Sequence, residues 1–231
     1  MSVLLILPGL DGRGLMHEAF IAALGPHVTV TAVRYPDTEV LGYGELERIV
    51  CAAVPARGDF FVLGESFSGP LAVRLAAAYP ARVRGVILCG SFLRNPRPGL
   101  AWLRPALRGF PLLRGLLSAV TPVLLGKAAS PALRRMLAEA LAHAAPAVLA
   151  ARLCAAMAVD VTAPFAALEC PILYLRATHD RIVPRHAAEQ VVRANPRVRL
   201  VELAASHFIL QTAPLEAARA VAAFMSESPR Q

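Results

Sequence analysis

Phe60-Phe61-Val62-Leu63-Gly64-Glu65-Ser66-Phe67-Ser68-Gly69-Pro70 joins an apolar run, Phe60 to Leu63, to a helix-compatible one, Leu71 to Ala78. The break falls at Gly64, so Ser66 stands where a buried strand has to turn sharply into a helix. A serine in so tight a turn needs small neighbours on both sides, which is the setting of a nucleophile elbow. Gly64 is the small residue two before it. Ser68 stands two after it, where the strict pattern has Gly, and Gly69 follows. Serine is nearly as small, and the demand at that position is a close approach of helix to strand. So short a pattern recurs by chance. Its weight comes from the strand-then-helix context and from partners downstream.

Upstream, Ser2 to Leu7 is a continuous apolar run of strand length. It ends in Pro8-Gly9-Leu10-Asp11-Gly12-Arg13-Gly14, where glycine opens backbone conformations closed to other residues. Leu15 to Leu24 reads as a helix, His27 to Val33 as a β-branched strand, and Tyr43 to Val54 as a helix with Leu46, Ile49 and Val50 at helical spacing. Downstream of the elbow, Val83 to Cys89 is a strand. Arg94 to Asp160 then breaks the alternation with Leu- and Ala-rich pieces separated by Pro105, Pro111, Pro122, Pro131 and Pro146. Strands resume at Pro171 to Ala177 and Val198 to Leu203, with helices at Arg185 to Arg193 and roughly Pro214 to Met225. Alternation of this kind predicts a mostly parallel, doubly wound α/β sheet. The expected organisation is a core of residues 1–91 and 161–231, with 92–160 inserted after the fourth predicted strand as a helical lid.

The hydrophobic share of 56% supports a large core and excludes a disordered chain. Met1-Ser2 lacks the basic start of a secretory signal, and no segment offers the ~18 uninterrupted apolar residues of a spanning helix. A cytoplasmic protein without a transmembrane segment is expected. Cys51, Cys89, Cys154 and Cys170 show no paired spacing and read as free thiols packed among apolar neighbours. The net charge of +8 resides in residues 91–159, where nine basic side chains face Glu139 alone. No basic helix with interleaved aromatics accompanies it, so nucleic-acid binding is not expected.

Ser66, Asp180 and His207 come in the order nucleophile, acid, base, each just after a predicted strand. A parallel sheet gathers such positions at one carboxyl edge. With the elbow, the Asp180-Arg181-Ile182-Val183-Pro184 segment and Ser206-His207 before the last helix, the chain resembles an α/β-hydrolase from Val3 to about Phe224. It is similar to bacterial carboxylesterases and pimeloyl-acyl-carrier-protein methyl ester esterases. The resemblance implies Ser66 as nucleophile, His207 as general base and then acid, and Asp180 as the group that orients the imidazole. It also implies an oxyanion hole made by the backbone N–H of Phe67 and one from the first loop, for which Leu10 is the candidate. Many relatives have His-Gly there, whereas this chain has Pro8-Gly9. No cofactor or metal is implied.

Taken singly, Ser66 also reads as a helix N-cap, Asp180 as a cap for the helix after Pro184, and His207 as a loop histidine. The joint order argues for chemistry. Of the other groups, Glu65 is placed to line the pocket and Asp11 to hold the first loop through an Asx turn. Asp160 competes as the acid only under a different strand order. His17, His27, His143 and His186 read as surface or filler residues, and His179 as pointing away. The leading expectation is hydrolysis of small to medium carboxylic esters in an apolar pocket built with Trp102 and Phe110. One alternative is an ester or thioester borne by an acidic acyl carrier protein and steered by the basic lid. Another is a small-molecule binding protein of the same fold that turns nothing over.

Overall fold

Strands buried on both faces have apolar residues at every position, and the side-chain period of two then sorts them between two separate cores. The structure, a computed structural model, describes residues 2–14, 16–108 and 130–228. Its sheet holds β1 (Ser2–Leu7), β2 (Val28–Ala32), β3 (Phe60–Glu65), β4 (Val83–Cys89), β5 (Ile172–Ala177) and β6 (Val198–Leu203). The order is β2-β1-β3-β4-β5-β6, with every pairing parallel.

On one face, Leu5, Leu7, Phe60, Val62, Val86, Leu88, Ile172 and Tyr174 form a core with four helices. These are α2 (Tyr43–Ala52), α3 (Gly69–Ala78), α7 (Thr162–Ala166) and α8 (Arg185–Ala194). On the other face, Leu4, Ile6, Phe61, Leu63, Ile87, Leu173 and Leu175 meet α1 (Glu18–Leu24), α9 (Ile209–Thr212) and α10 (Pro214–Glu227). Each fully buried aliphatic or Phe side chain contributes ~1.5–3 kcal/mol relative to exposure. The one-residue alternation between cores is therefore what fixes the register. The edge strands β2 and β6 are only half buried, and β6 carries Arg199 and Glu202 outward, charges that discourage a further strand from adding.

From β1 the chain moves out to β2, then crosses back past β1 to β3 and continues the other way. The connections after β1 and β3 thus leave on opposite faces, and a crevice opens between their carboxyl ends. Described residues of the segment between β4 and β5 line this crevice. The segment's described residues form a 3-10 turn (Pro98–Leu103), α4 (Arg104–Arg108), α5 (Pro131–His143) and α6 (Pro146–Ala156). Among the described residues no single helix is long and apolar enough to cross a membrane. The two ends of the insertion are joined: Arg94 and Asp160 form an antiparallel bridge, and the Val161 amide donates to Leu93 O at 2.9 Å. Leu137, Ala140, Leu141, Val148 and Leu149 make a small third core that packs on Met16, Leu10 and Phe208 beside the crevice. The part of the expected lid at 109–129, with Phe110, Pro111, Arg114, Pro122 and Lys127, lies outside the described residues. Trp102, expected to help wall the pocket, is instead 73% exposed.

Candidate active site

β3 ends at Glu65 and α3 begins at Gly69, which leaves three residues for the reversal. Ser66 takes φ 48°, the one positive value at a non-glycine among the described residues. Holding a side chain there costs ~1–3 kcal/mol, so the surroundings must over-determine it. They do. The Gly69 amide and the Ser91 hydroxyl both donate to Ser66 O, the latter at 2.6 Å, and Tyr174 OH in turn donates to Ser91 O at 2.7 Å. A Cβ on Gly64 would stand 2.6 Å from Ser68 O and 2.8 Å from Gly69 Cα, and one on Gly69 would stand 1.8 Å from Ser91 Oγ. Close approach thus falls on Gly64 and Gly69. Gly64→Ala, whose two nearest clashes are with backbone, is expected to cost ~1–3 kcal/mol of stability. Thermal melting should show it as a Tm lower by ~2–4 °C per kcal/mol.

Ser68, expected to matter only for being small, has a polar task. Its hydroxyl donates to Pro8 O, which uses its proton, so Tyr35 OH must be the donor in their 2.7 Å hydrogen bond. The loop after β1 is therefore tied to the elbow. Arg152 of α6 ties it from above, donating to Leu10 O and to Pro36 O, each at 2.9 Å, with its guanidinium over the Tyr35 ring. Gly12, at φ 77°, leaves room for that guanidinium: a Cβ would lie 2.4 Å from Nη1. Arg152 is 1% exposed, and burial lowers its pKa. It counts among the basic residues of the insertion in the sequence, yet it forms no part of the surface. Phe67 is clamped by stacking on Tyr43 at 4.8 Å and by Tyr43 OH donating to its carbonyl at 2.7 Å.

The loops after β5 and β6 bring Asp180 and His207 to Ser66. His207 Nε2 lies 2.8 Å from Ser66 Oγ, and Nδ1 lies 2.8 Å from Asp180 Oδ2. Asp180 Oδ1 accepts from the Ile182 and Val183 amides, each at 2.8 Å, which orients the carboxylate and leaves Oδ2 for the imidazole. A carboxylate only accepts, so Nδ1 carries the proton and Nε2 faces Ser66 as the acceptor. The side chains of His207 and Asp180 are each 5% exposed. Asp160 stands elsewhere, at the neck of the insertion, accepting from the Thr162 amide at 2.8 Å.

Ser66 opens into a cavity of about 420 Å³. Leu10, Phe67 and His207 line it with apolar side chains from the insertion and its flanks, among them Phe92, Leu107, Leu137, Leu141, Leu153 and Met157. Exposed Arg97 and Arg181 also line it, and Arg97 donates to the carbonyls of Ile182 and Arg181. Glu65 lines it as expected. Asp11 does too, and its Oδ2 accepts from the Arg13 and Gly14 amides at 3.1 and 3.0 Å, the expected Asx turn. His27, His143, His179 and His186 are exposed, but His17 is not the filler residue of the sequence reading. It is 1% exposed, with Nε2 2.7 Å from Glu65 Oε2, while Gln211 Nε2 donates to Glu65 Oε1 at 3.0 Å. Only its place at the end of the Gly-rich loop could have signalled this. The four cysteines are free thiols, and among the described residues no group of His, Cys, Asp and Glu is arranged to hold a metal ion.

Residues 4–223 match the Alpha/beta hydrolase family. The fold is similar to that of the enol-lactonase from Burkholderia xenovorans LB400, with a TM-score of 0.85 and 21% identity over 98% of this chain and 92% of that one. A thermophilic esterase from Thermogutta terrifontis, solved with malate bound, gives 0.85 and 21% over 99% and 90%. The esterase EaEST from Exiguobacterium antarcticum gives 0.84 and 15% over 98% and 92%. A search of curated proteins finds no significant match.

Proposed function

From the premise that the chain belongs to the alpha/beta hydrolase family and is a hydrolytic enzyme, we propose that it cleaves carboxylic esters through an acyl-Ser66 intermediate. The observation that carries this reading is the double bridge at His207, with 2.8 Å to Ser66 and 2.8 Å to Asp180. A serine hydroxyl is a poor nucleophile until a base accepts its proton, and here the base is in contact.

As Ser66 Oγ attacks the ester carbonyl, its proton passes to His207 Nε2 and the imidazolium is held by Asp180. The negative charge forming on the carbonyl oxygen is received by the backbone amides of Phe67 and Leu10. Clamping of the Phe67 ring and carbonyl, and the hold of Ser68 and Arg152 on the first loop, prepare both donors before substrate arrives. The tetrahedral species collapses, His207 gives its proton to the departing alcohol, and water repeats the sequence to release the acid. Residues 92–160 act as the lid that excludes water. The cavity of about 420 Å³ with its apolar walls suits short to medium acyl chains.

A panel of chromogenic esters from acetate to laurate tests this. Turnover should be highest for short to medium chains, and a protein hydrolysing none of them would refute the reading. The exposed Arg97 and Arg181 at the cavity favour a second reading, an acyl group borne by an acidic carrier protein. The same panel at two ionic strengths separates them. A small neutral ester should change by less than ~2-fold, whereas a carrier-borne one should lose ~10-fold in kcat/KM as salt rises.

A further inference from the structure

Asp11, His17 and Glu65 are buried beside the relay, yet none takes part in the chemistry proposed above. The two carboxylates flank Gly9: a Cβ there would stand 3.4 Å from Glu65 Oε2 and 3.6 Å from Asp11 Oδ1. The next residue is Leu10, whose amide is to receive the oxyanion. Carboxylate charge at this place opposes the charge that forms on the substrate oxygen, and a dry site screens it poorly. The group placed to balance Glu65 is His17, 2.7 Å away, while Arg152 faces Asp11.

We infer that His17 and Glu65 are positioning residues for the oxyanion loop, the imidazolium balancing the buried carboxylate so that the Gly9–Leu10 turn can accept negative charge. The inference rests on the acyl-Ser66 reading. Around His17, the charged and titratable neighbours are Glu65 at the end of β3 and Asp11 in the loop after β1. Beyond Glu65 lie Gln211 of α9 and His207, and beyond Asp11 lies Arg152 of α6. Burial opposes the charge on His17, but the Glu65 and Asp11 carboxylates outweigh it and leave its pKa raised. Burial likewise opposes the charge on Glu65, whose pKa is nevertheless lowered by His17 and Gln211.

Among the described residues His17 Nδ1 has no hydrogen-bond partner, so no acceptor fixes a proton there and only the neighbouring carboxylates favour one. Below its raised pKa the pair is neutral. As pH rises through that value, the pair becomes negative beside Gly9 and turnover falls.

The experiment is steady-state hydrolysis of p-nitrophenyl butyrate by wild type, His17→Gln, Glu65→Gln and the double variant, across pH. Phosphonate labelling of wild-type Ser66 runs alongside. His17→Gln is expected to lose ~30–100-fold in kcat, with KM within ~3-fold, as for a displaced or opposed oxyanion donor. The double variant, which removes the Glu65 carboxylate together with its partner, is expected to recover to within ~5-fold of wild type. A double variant no faster than His17→Gln overturns the pairing. If His17→Gln does not fold, the pH profiles decide. Wild-type kcat should fall above the raised His17 pKa and that of Glu65→Gln should not, whereas an unchanged alkaline fall in Glu65→Gln overturns the inference. Unlabelled wild-type Ser66 overturns the acyl-Ser66 reading and the inference together. A labelled wild type without rescue overturns the pairing alone.

Discussion

Ser66→Ala is expected to lower kcat for ester hydrolysis by ~10⁶ while leaving KM within a few-fold. The hydroxyl is the atom that attacks, so no neighbouring group replaces it. The fold should survive. The hydrogen bonds that hold φ at 48° come from the Gly69 amide and the Ser91 hydroxyl and end on Ser66 O, and the substitution leaves both of them in place. Thermal melting close to that of wild type, together with turnover near the uncatalysed rate, is the expected pair of results. Substantial esterase activity in this variant would remove Ser66 from the mechanism.

Asp180→Asn is expected to cost ~10⁴ in kcat, as loss of the correct imidazole tautomer does in serine hydrolases. The two backbone amides decide how the new side chain sits. Ile182 N and Val183 N need an acceptor, so the Asn oxygen stays where Oδ1 now is and its NH₂ group faces His207 Nδ1. His207 must then accept at Nδ1 and carry its proton on Nε2, where it cannot take one from Ser66. The hydrogen-bond count is preserved, so stability should change little while turnover collapses. Rates from a pH series would check this, and a fall of less than ~10-fold would argue against Asp180 as the orienting group.

The sheet was legible because the central parallel strands leave short, largely apolar runs, while the half-buried edge strands show as short segments that mix apolar with polar or charged residues. Element ends shifted by only a few residues. The first helix, expected from Leu15, starts at Glu18, because His17 is drawn inward to Glu65 and stands as the cap before the first turn. The relay was legible for a topological reason: three chemistry-bearing residues each followed a strand, and a parallel sheet gathers such positions at one edge.

What supports the relay was not legible, because its partners are far apart in sequence. Arg152 sits in an Ala- and Leu-rich helix and looks like one more surface charge, yet it holds Leu10 O from 142 positions away. Ser68 looks like a substitute for glycine, yet it links Tyr35 to Pro8 O. His17 and Glu65 are 48 positions apart, and only the folded loop after β1 shows that they meet. Local pattern reveals which residues lie at a strand end. Long-range pairing reveals what holds them there.

Mass spectrometry of the protein after treatment with a fluorophosphonate tests the central claim most directly. The account predicts one adduct per chain, mapped to the peptide containing Ser66, absent from Ser66→Ala and slowed severely in Asp180→Asn. A wild-type protein that hydrolyses esters yet carries no adduct on Ser66, or that labels equally well without that hydroxyl, would contradict it. A wild type that neither labels nor hydrolyses would point to a binding protein built on this fold.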